Sequence, residues 1–100
     1  MAFYKFTGRI KNIGVDKSVN FCEFDVDNRI KIEERQYGIA YEVNSNFAPI
    51  PSPKAVIVEK FTGITTQFFD FLLAARDEKI EVVFCITENN ISIVQVTILK

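Results

Sequence analysis

Histidine and tryptophan are absent from this chain, methionine occurs only at position 1, and proline is confined to positions 49, 51 and 53. Without histidine the chain lacks the side chain that most often moves protons near neutral pH and most often binds transition metals. It also lacks any GxSxG, CxxC, HExxH or glycine-rich phosphate-loop pattern. These gaps predict a protein that is not an enzyme and holds no cofactor and no metal. An excess of one charge is missing too: 12 Lys and Arg stand against 13 Asp and Glu, for a net charge of −1. General nucleic-acid binders carry a basic excess, because phosphate contacts dominate their affinity. No apolar run approaches the ~20 residues a membrane-spanning helix needs. The opening MAFYKFTGRIK holds no apolar stretch of signal-peptide length. A cytoplasmic protein without a membrane partner is expected. Cysteine is scarce, and Cys22 and Cys85 stand far apart within strand-like runs. In a reducing compartment both read as buried thiols that pack as small apolar groups.

Apolar residues make up 48% of the 100 positions, enough to offset the ordering entropy of one folded domain spanning 1–100. Ten of these are Phe, a ring with no polar handle, which suits a dry interior better than a wet interface.

Period-2 alternation dominates the chain. From Phe3 to Ile13, Tyr4, Phe6, Gly8 and Ile10 share one face, and Lys5, Thr7, Arg9 and Lys11 share the other. Gly8 on the inner side leaves room for another backbone where the strand bends. After a turn at residues 14–18, Cys22, Phe24 and Val26 alternate with Glu23, Asp25 and Asp27. A hairpin around that turn is expected to set Arg9 opposite Glu23 and Lys5 opposite Asp27, satisfying both faces with one register. Ile30 and Ile32 alternate next, followed by Tyr37, Ile39, Tyr41 and Val43 against Gly38, Ala40 and Glu42. The change of phase between Ile32 and Tyr37 predicts a turn or bulge near residues 34–36. Residues 44–54 (NSNFAPIPSPK) form a proline-rich loop. Ala55–Phe61 reads as a covered strand. Ile80–Thr87 and Ile91–Leu99 read as a hairpin around a type I′ turn at Asn89-Asn90.

Between these strands, residues 66–77 carry helical spacing. Gln67, Asp70, Ala74 and Asp77 make one polar stripe, while Phe68, Phe69, Phe71, Leu72, Leu73 and Ala75 are apolar. Thr65 or Thr66 is the expected N-cap, its hydroxyl accepting from a free N–H. So wide an apolar surface predicts a largely buried helix that plugs a curved sheet. The fold class expected is mainly β (α+β). It is an antiparallel curved sheet of five to six strands, or a small barrel, with one buried helix between the fourth strand and a C-terminal β-hairpin.

This order of elements resembles the oligonucleotide/oligosaccharide-binding barrel, in which a helix between the third and fourth strands seals one end. The resemblance lies in the Gly8-containing first strand, the helix 66–77 and the closing hairpin 80–99, and no sequence motif of that fold accompanies it. The extra strand around 30–43 departs from the pattern.

Three sets of residues offer a function. Phe3, Ile13, Val19 and Phe21, in outward phase, and Phe47 and Ile50, in the loop, are apolar without an evident core partner, as at a protein interface. Lys5, Arg9 and Lys11 line one strand face beside aromatic residues, as on a single-strand stacking surface, although their acidic neighbours would cancel the field. Asp25-Val26-Asp27-Asn28 begins like a calcium loop, but Ile30 and Gln36 stand where glycine and a bidentate glutamate are required. The reading that follows is a non-enzymatic interaction, assembly or inhibitor module that docks through its surface to a protein partner or to itself. Alternatives are a barrel that binds single-stranded nucleic acid, and a barrel that binds a small ligand among Phe and Tyr side chains.

Overall fold

The alternation that begins at Phe3 produces a strand long enough to belong to two sheet regions at once. The chain runs β1 (Ala2–Asp16), β2 (Val19–Val26), β3 (Arg29–Ile32), β4 (Arg35–Val43), β5 (Ala55–Val58), β6 (Phe61–Thr62), α1 (Thr66–Ala74), β7 (Ile80–Thr87) and β8 (Asn90–Ile98). The computed structural model describes residues 1–100. On one edge the first half of β1 pairs with β7, from Ala2↔Ile86 to Gly8↔Ile80. On its other edge it meets β4 at Phe3↔Val43 and then β2 from Gly8↔Val26 to Asp16↔Val19. β3 and β5 pair with β4, β6 with β2, and β8 with β7, all antiparallel. This is the expected mainly β, antiparallel curved sheet, now with eight strands. No ladder joins β8 to β5 or β6, so the sheet curls without closing into a barrel. The single helix is too short to cross a membrane.

Local turns set the register differently from the sequence expectation. The β1–β2 loop is only Lys17-Ser18, with φ of 51° and 67°. The β3–β4 loop is Glu33-Glu34, with φ of 47° and 73°. Positive φ at both central residues matches the twist of a two-residue hairpin. A shift between Ile10 and Asn12 leaves Lys11 as an extra residue in β1. Arg9 therefore faces Asp25 rather than Glu23, and Lys5 faces Tyr41 and Val83 rather than Asp27. The same bulge turns Ile13 inward against the core, where unbroken alternation would have pointed it out. At β7–β8 the turn is Glu88-Asn89, one residue earlier than expected, and neither residue has positive φ, so it is not type I′.

Phenyl rings fill the interior. Phe6 meets Phe24 at 5.1 Å, Phe24 meets Phe61 at 5.6 Å, and Phe61 meets Phe84 at 5.2 Å, each edge to face. Such pairs contribute ~0.5–1.5 kcal/mol beyond their buried area. Cys22, Val26, Ile80 and Val82 complete the packing.

The helix closes one end of this core through a narrow strip. Leu72 and, just past the last turn, Ala75 are fully buried and Phe68 packs beside them, but Phe71 and Leu73 remain exposed. The strands already supply most of the rings, so the helix covers an end rather than filling a cavity, and it stops at Ala74, short of the expected 77. Thr65 is the N-cap residue, yet its hydroxyl makes no capping bond. The entry to the helix is held instead by Asn20. Its side chain accepts from Ile64 N at 2.6 Å and donates to Ile64 O at 2.7 Å.

The proline-rich loop folds onto the outer side of β1. Asn44 Oδ1 accepts from the backbone N–H groups of Asn46 and Ala48 at 2.8 and 3.1 Å. The resulting turn carries Phe47, at φ 64°, against Phe3 with ring centroids 5.4 Å apart. Directly opposed residues share a face, so Phe3, Val43 and Cys85 lie together on this outer side. Val43 and Cys85 are buried although they lie outside the main core.

Candidate functional site

The inner face of β4 is made of its smallest residues. A β-carbon on Gly38 would lie 2.7 Å from Val26 Cβ and Cγ2, and Ala40 is fully buried. With the interior filled by phenyl rings, β4 can approach only through Gly38 and Ala40. The larger alternate residues, Tyr37, Ile39 and Tyr41, must then point to the outer face. The sequence pattern identifies these two sets but leaves open which one faces the core.

Registers extend the outward set across three strands. Ile30 lies opposite Tyr37 and Ile32 opposite Arg35. On the far side Ile57 lies opposite Ile39, and Ala55 opposite Tyr41. Opposed residues project from the same side, so Ile30, Ile32, Tyr37, Ile39, Tyr41 and Ile57 form one apolar surface. Ile30, Ile32, Tyr41 and Ile57 are 44%, 43%, 40% and 46% exposed. The Arg35 guanidinium sits 5.1 Å from the centre of the Tyr37 ring. That contact is worth ~0.5–1 kcal/mol at an exposed site and holds both side chains in place. Single exposed apolar residues are ordinary, whereas a contiguous group with Tyr and Arg has the composition of an interface centre.

The residues singled out from the sequence are dispersed. Phe3 and Phe47 pack on each other, and Ile50 lines a shallow groove with Tyr41, Pro49 and Pro53. Val19 and Phe21 lie at the β1–β2 hairpin, Val19 exposed and Phe21 beneath the Lys60 ammonium at 5.4 Å. Ile13 faces the core, so the set does not form one surface.

The basic residues are dispersed as well. Lys5 is 3.9 Å from Glu81, and Arg9 Nη1 donates to the carbonyl of Asp77 at 3.1 Å. Lys11, displaced by the bulge, lines a cleft of about 540 Å³ that also holds Arg29 and Lys60 against Glu23, Asp25 and Glu59. The charges there balance.

Asp27 anchors the crossing of β1, β2 and β7. It accepts from Thr7 Oγ1 at 2.8 Å and is ion-paired with Lys79. The hydrogen bond from Lys79, then that from Thr7, holds its carboxyl below the ordinary value of 3.8. Burial, reinforced by the charge of Glu23, pushes the Cys22 thiol from 9.0 up to about 12, so it stays protonated and unreactive at neutral pH.

Comparison with protein-family models, curated proteins and solved structures finds no match.

Proposed function

We propose that the protein is a non-catalytic docking module that binds another protein surface through the outer face of β3, β4 and β5. The observation that supports this reading is the apolar surface of Ile30, Ile32, Tyr37, Ile39, Tyr41 and Ile57, left uncovered while the small residues of β4 serve the core. A second copy of the chain carries the same apolar face, and two such faces would cover each other across a two-fold axis, as in an isologous dimer. Tyr37, Tyr41 and Arg35 are residue types that dominate binding energy when desolvated at an interface centre.

The test is a double substitution, Ile32→Lys with Tyr41→Lys, at two exposed positions where charge leaves the core intact. Sedimentation velocity across a concentration series, together with affinity capture from host extract, compares it with the parent. The variant is expected to melt like the parent and to lose self-association or the captured partner. Identical sedimentation and identical capture by parent and variant would reject the reading, as would a parent that stays monomeric and captures nothing.

A further inference from the structure

The curled sheet is open along one line. β8 pairs only with β7, β6 only with β2, and β5 only with β4. None of the backbone hydrogen bonds outside the regular elements joins residues 55–62 to β8. Two adjoining hollows occupy the gap. The larger, about 370 Å³, lies between residues 57–62 and 89–91, with Phe84 and Ile86 in its wall. The smaller, about 50 Å³, continues along Ile91–Ile93 to Phe68 of the helix.

Strand direction shows what fits this line. β7 is antiparallel to β1 and β8 to β7, so β8 runs in the sense of β1. β5 reaches the same sense through β4, and β6 through β2. Direct closure would be a parallel pairing, the slightly weaker kind, onto a β6 of only two residues. One inserted strand running against β8 would be antiparallel to both edges at once. A strand residue fills roughly 160 Å³, from a 4.8 Å strand spacing, a 3.4 Å rise and a 10 Å sheet thickness. On that scale the larger hollow takes about two residues of a strand. Its wall supplies Phe61, Phe84, Ile86 and Ile91 for apolar side chains, while Glu59 and Lys60 at the rim offset each other.

We propose that this seam binds an extended peptide segment of another protein as an inserted strand, with apolar residues alternating inward and polar residues outward. Main-chain hydrogen bonds to the two unpaired edges would supply affinity, and the wall pockets would supply specificity. The seam adjoins the docking face at Ile57, which borders both, whereas Ile30, Ile32, Tyr37 and Tyr41 do not line it.

Selection of random twelve-residue displayed peptides against the whole chain tests this, with synthetic versions of the enriched sequences measured by calorimetry and amide exchange. Enriched peptides are expected to alternate apolar and polar residues and to slow exchange at residues 61–62 and 90–93. Ile91 is 57% exposed, so Ile91→Lys is expected to melt like the parent and to bind at least tenfold more weakly. Ile32→Lys is expected to bind as the parent does. Failure to enrich any peptide, protection confined to other segments, or equal binding by Ile91→Lys overturns the proposal. So does displacement of the peptides by an oligo-deoxythymidine strand, which would make single-stranded nucleic acid the ligand of the seam.

Discussion

A β-carbon on Gly8 would lie 2.2 Å from the carbonyl oxygen of Asp25. Gly8 is also paired on both edges of β1, with Val26 and with Ile80. Neither neighbouring backbone can retreat without breaking a ladder. Gly8→Ala is therefore expected to destabilise the protein by about 3 kcal/mol, the upper end of the overpacking range. For a domain of this size that lowers Tm by roughly 12–24 °C. Urea unfolding measures it, and a midpoint equal to the parent's would show that the strands separate more easily than their pairing implies.

Gly38 and Val26 make a second close approach, this time through a side chain. Gly38→Ala should cost ~1–3 kcal/mol by crowding Val26. Val26→Gly removes both atoms at 2.7 Å, Cβ and Cγ2, and costs its own roughly 2–4 kcal/mol in lost packing and strand stability. The double variant is expected to be more stable than the sum of the two losses by ~1 kcal/mol or more, as for residues in contact. Additive losses would mean that Val26 does not exclude side chains from the inner face of β4. The outward placement of Tyr37 and Ile39 would then need another cause.

Alternation revealed most of the strands because it reports a face, but it does not report which face is buried. At β4 the pattern left the choice of face open for that reason. Tyr37, Ile39 and Tyr41 look like core residues until the phenyl rings of β1, β2, β6 and β7 are seen to occupy the interior. Gly38 and Ala40, small residues in alternate positions, were the available signal of a crowded approach. The β1–β2 register was hidden by the Lys11 bulge, which no residue type announces. Lys17-Ser18 and Glu33-Glu34 are not typical of turns with positive φ, and strand pairing imposes that backbone on them. The helix was legible from its spacing. Its partial exposure was not, since it depends on how much of the core the strands already fill.

Cys22 gives a prediction at alkaline pH. It is fully buried in the core, and its thiol is held near 12 against an ordinary 9.0. Below pH 9 the thiol is protonated in both folded and unfolded chains and does not affect the slope. Between pH 9 and about 12 the unfolded chain releases this proton and the folded chain keeps it, so stability falls as pH rises. At ~1.4 kcal/mol per pH unit the full loss is on the order of 4 kcal/mol. Cys22→Ala should be less stable than the parent at pH 7, and the gap should narrow steadily between pH 9 and 11. A constant gap across that range would show that the thiol ionises in the folded protein.

Asp27 gives the complementary prediction in acid. Its carboxyl is stabilised in the charged form first by Lys79 and then by Thr7, so its folded value lies below 3.8. Above 3.8 the carboxylate is charged in both states and its contribution is fully present. As pH falls below that value the unfolded chain takes up the proton first, and the contribution is lost as pH passes through the folded value. Both partners are partly exposed, so solvent screening keeps the effect small. Asp27→Asn and Lys79→Met should each lower Tm by a few degrees at pH 7 and low salt, with the difference from the parent shrinking between pH 4 and pH 2. Added salt should shrink it as well, because the pair is accessible to counterions. Because Asp27 joins β2 to Thr7 of β1 and to Lys79 just ahead of β7, amide exchange in Lys79→Met should quicken first at residues 79–81, where β7 begins. A uniform acceleration over the whole chain would mean that the ion pair stabilises only the global fold and not this crossing point.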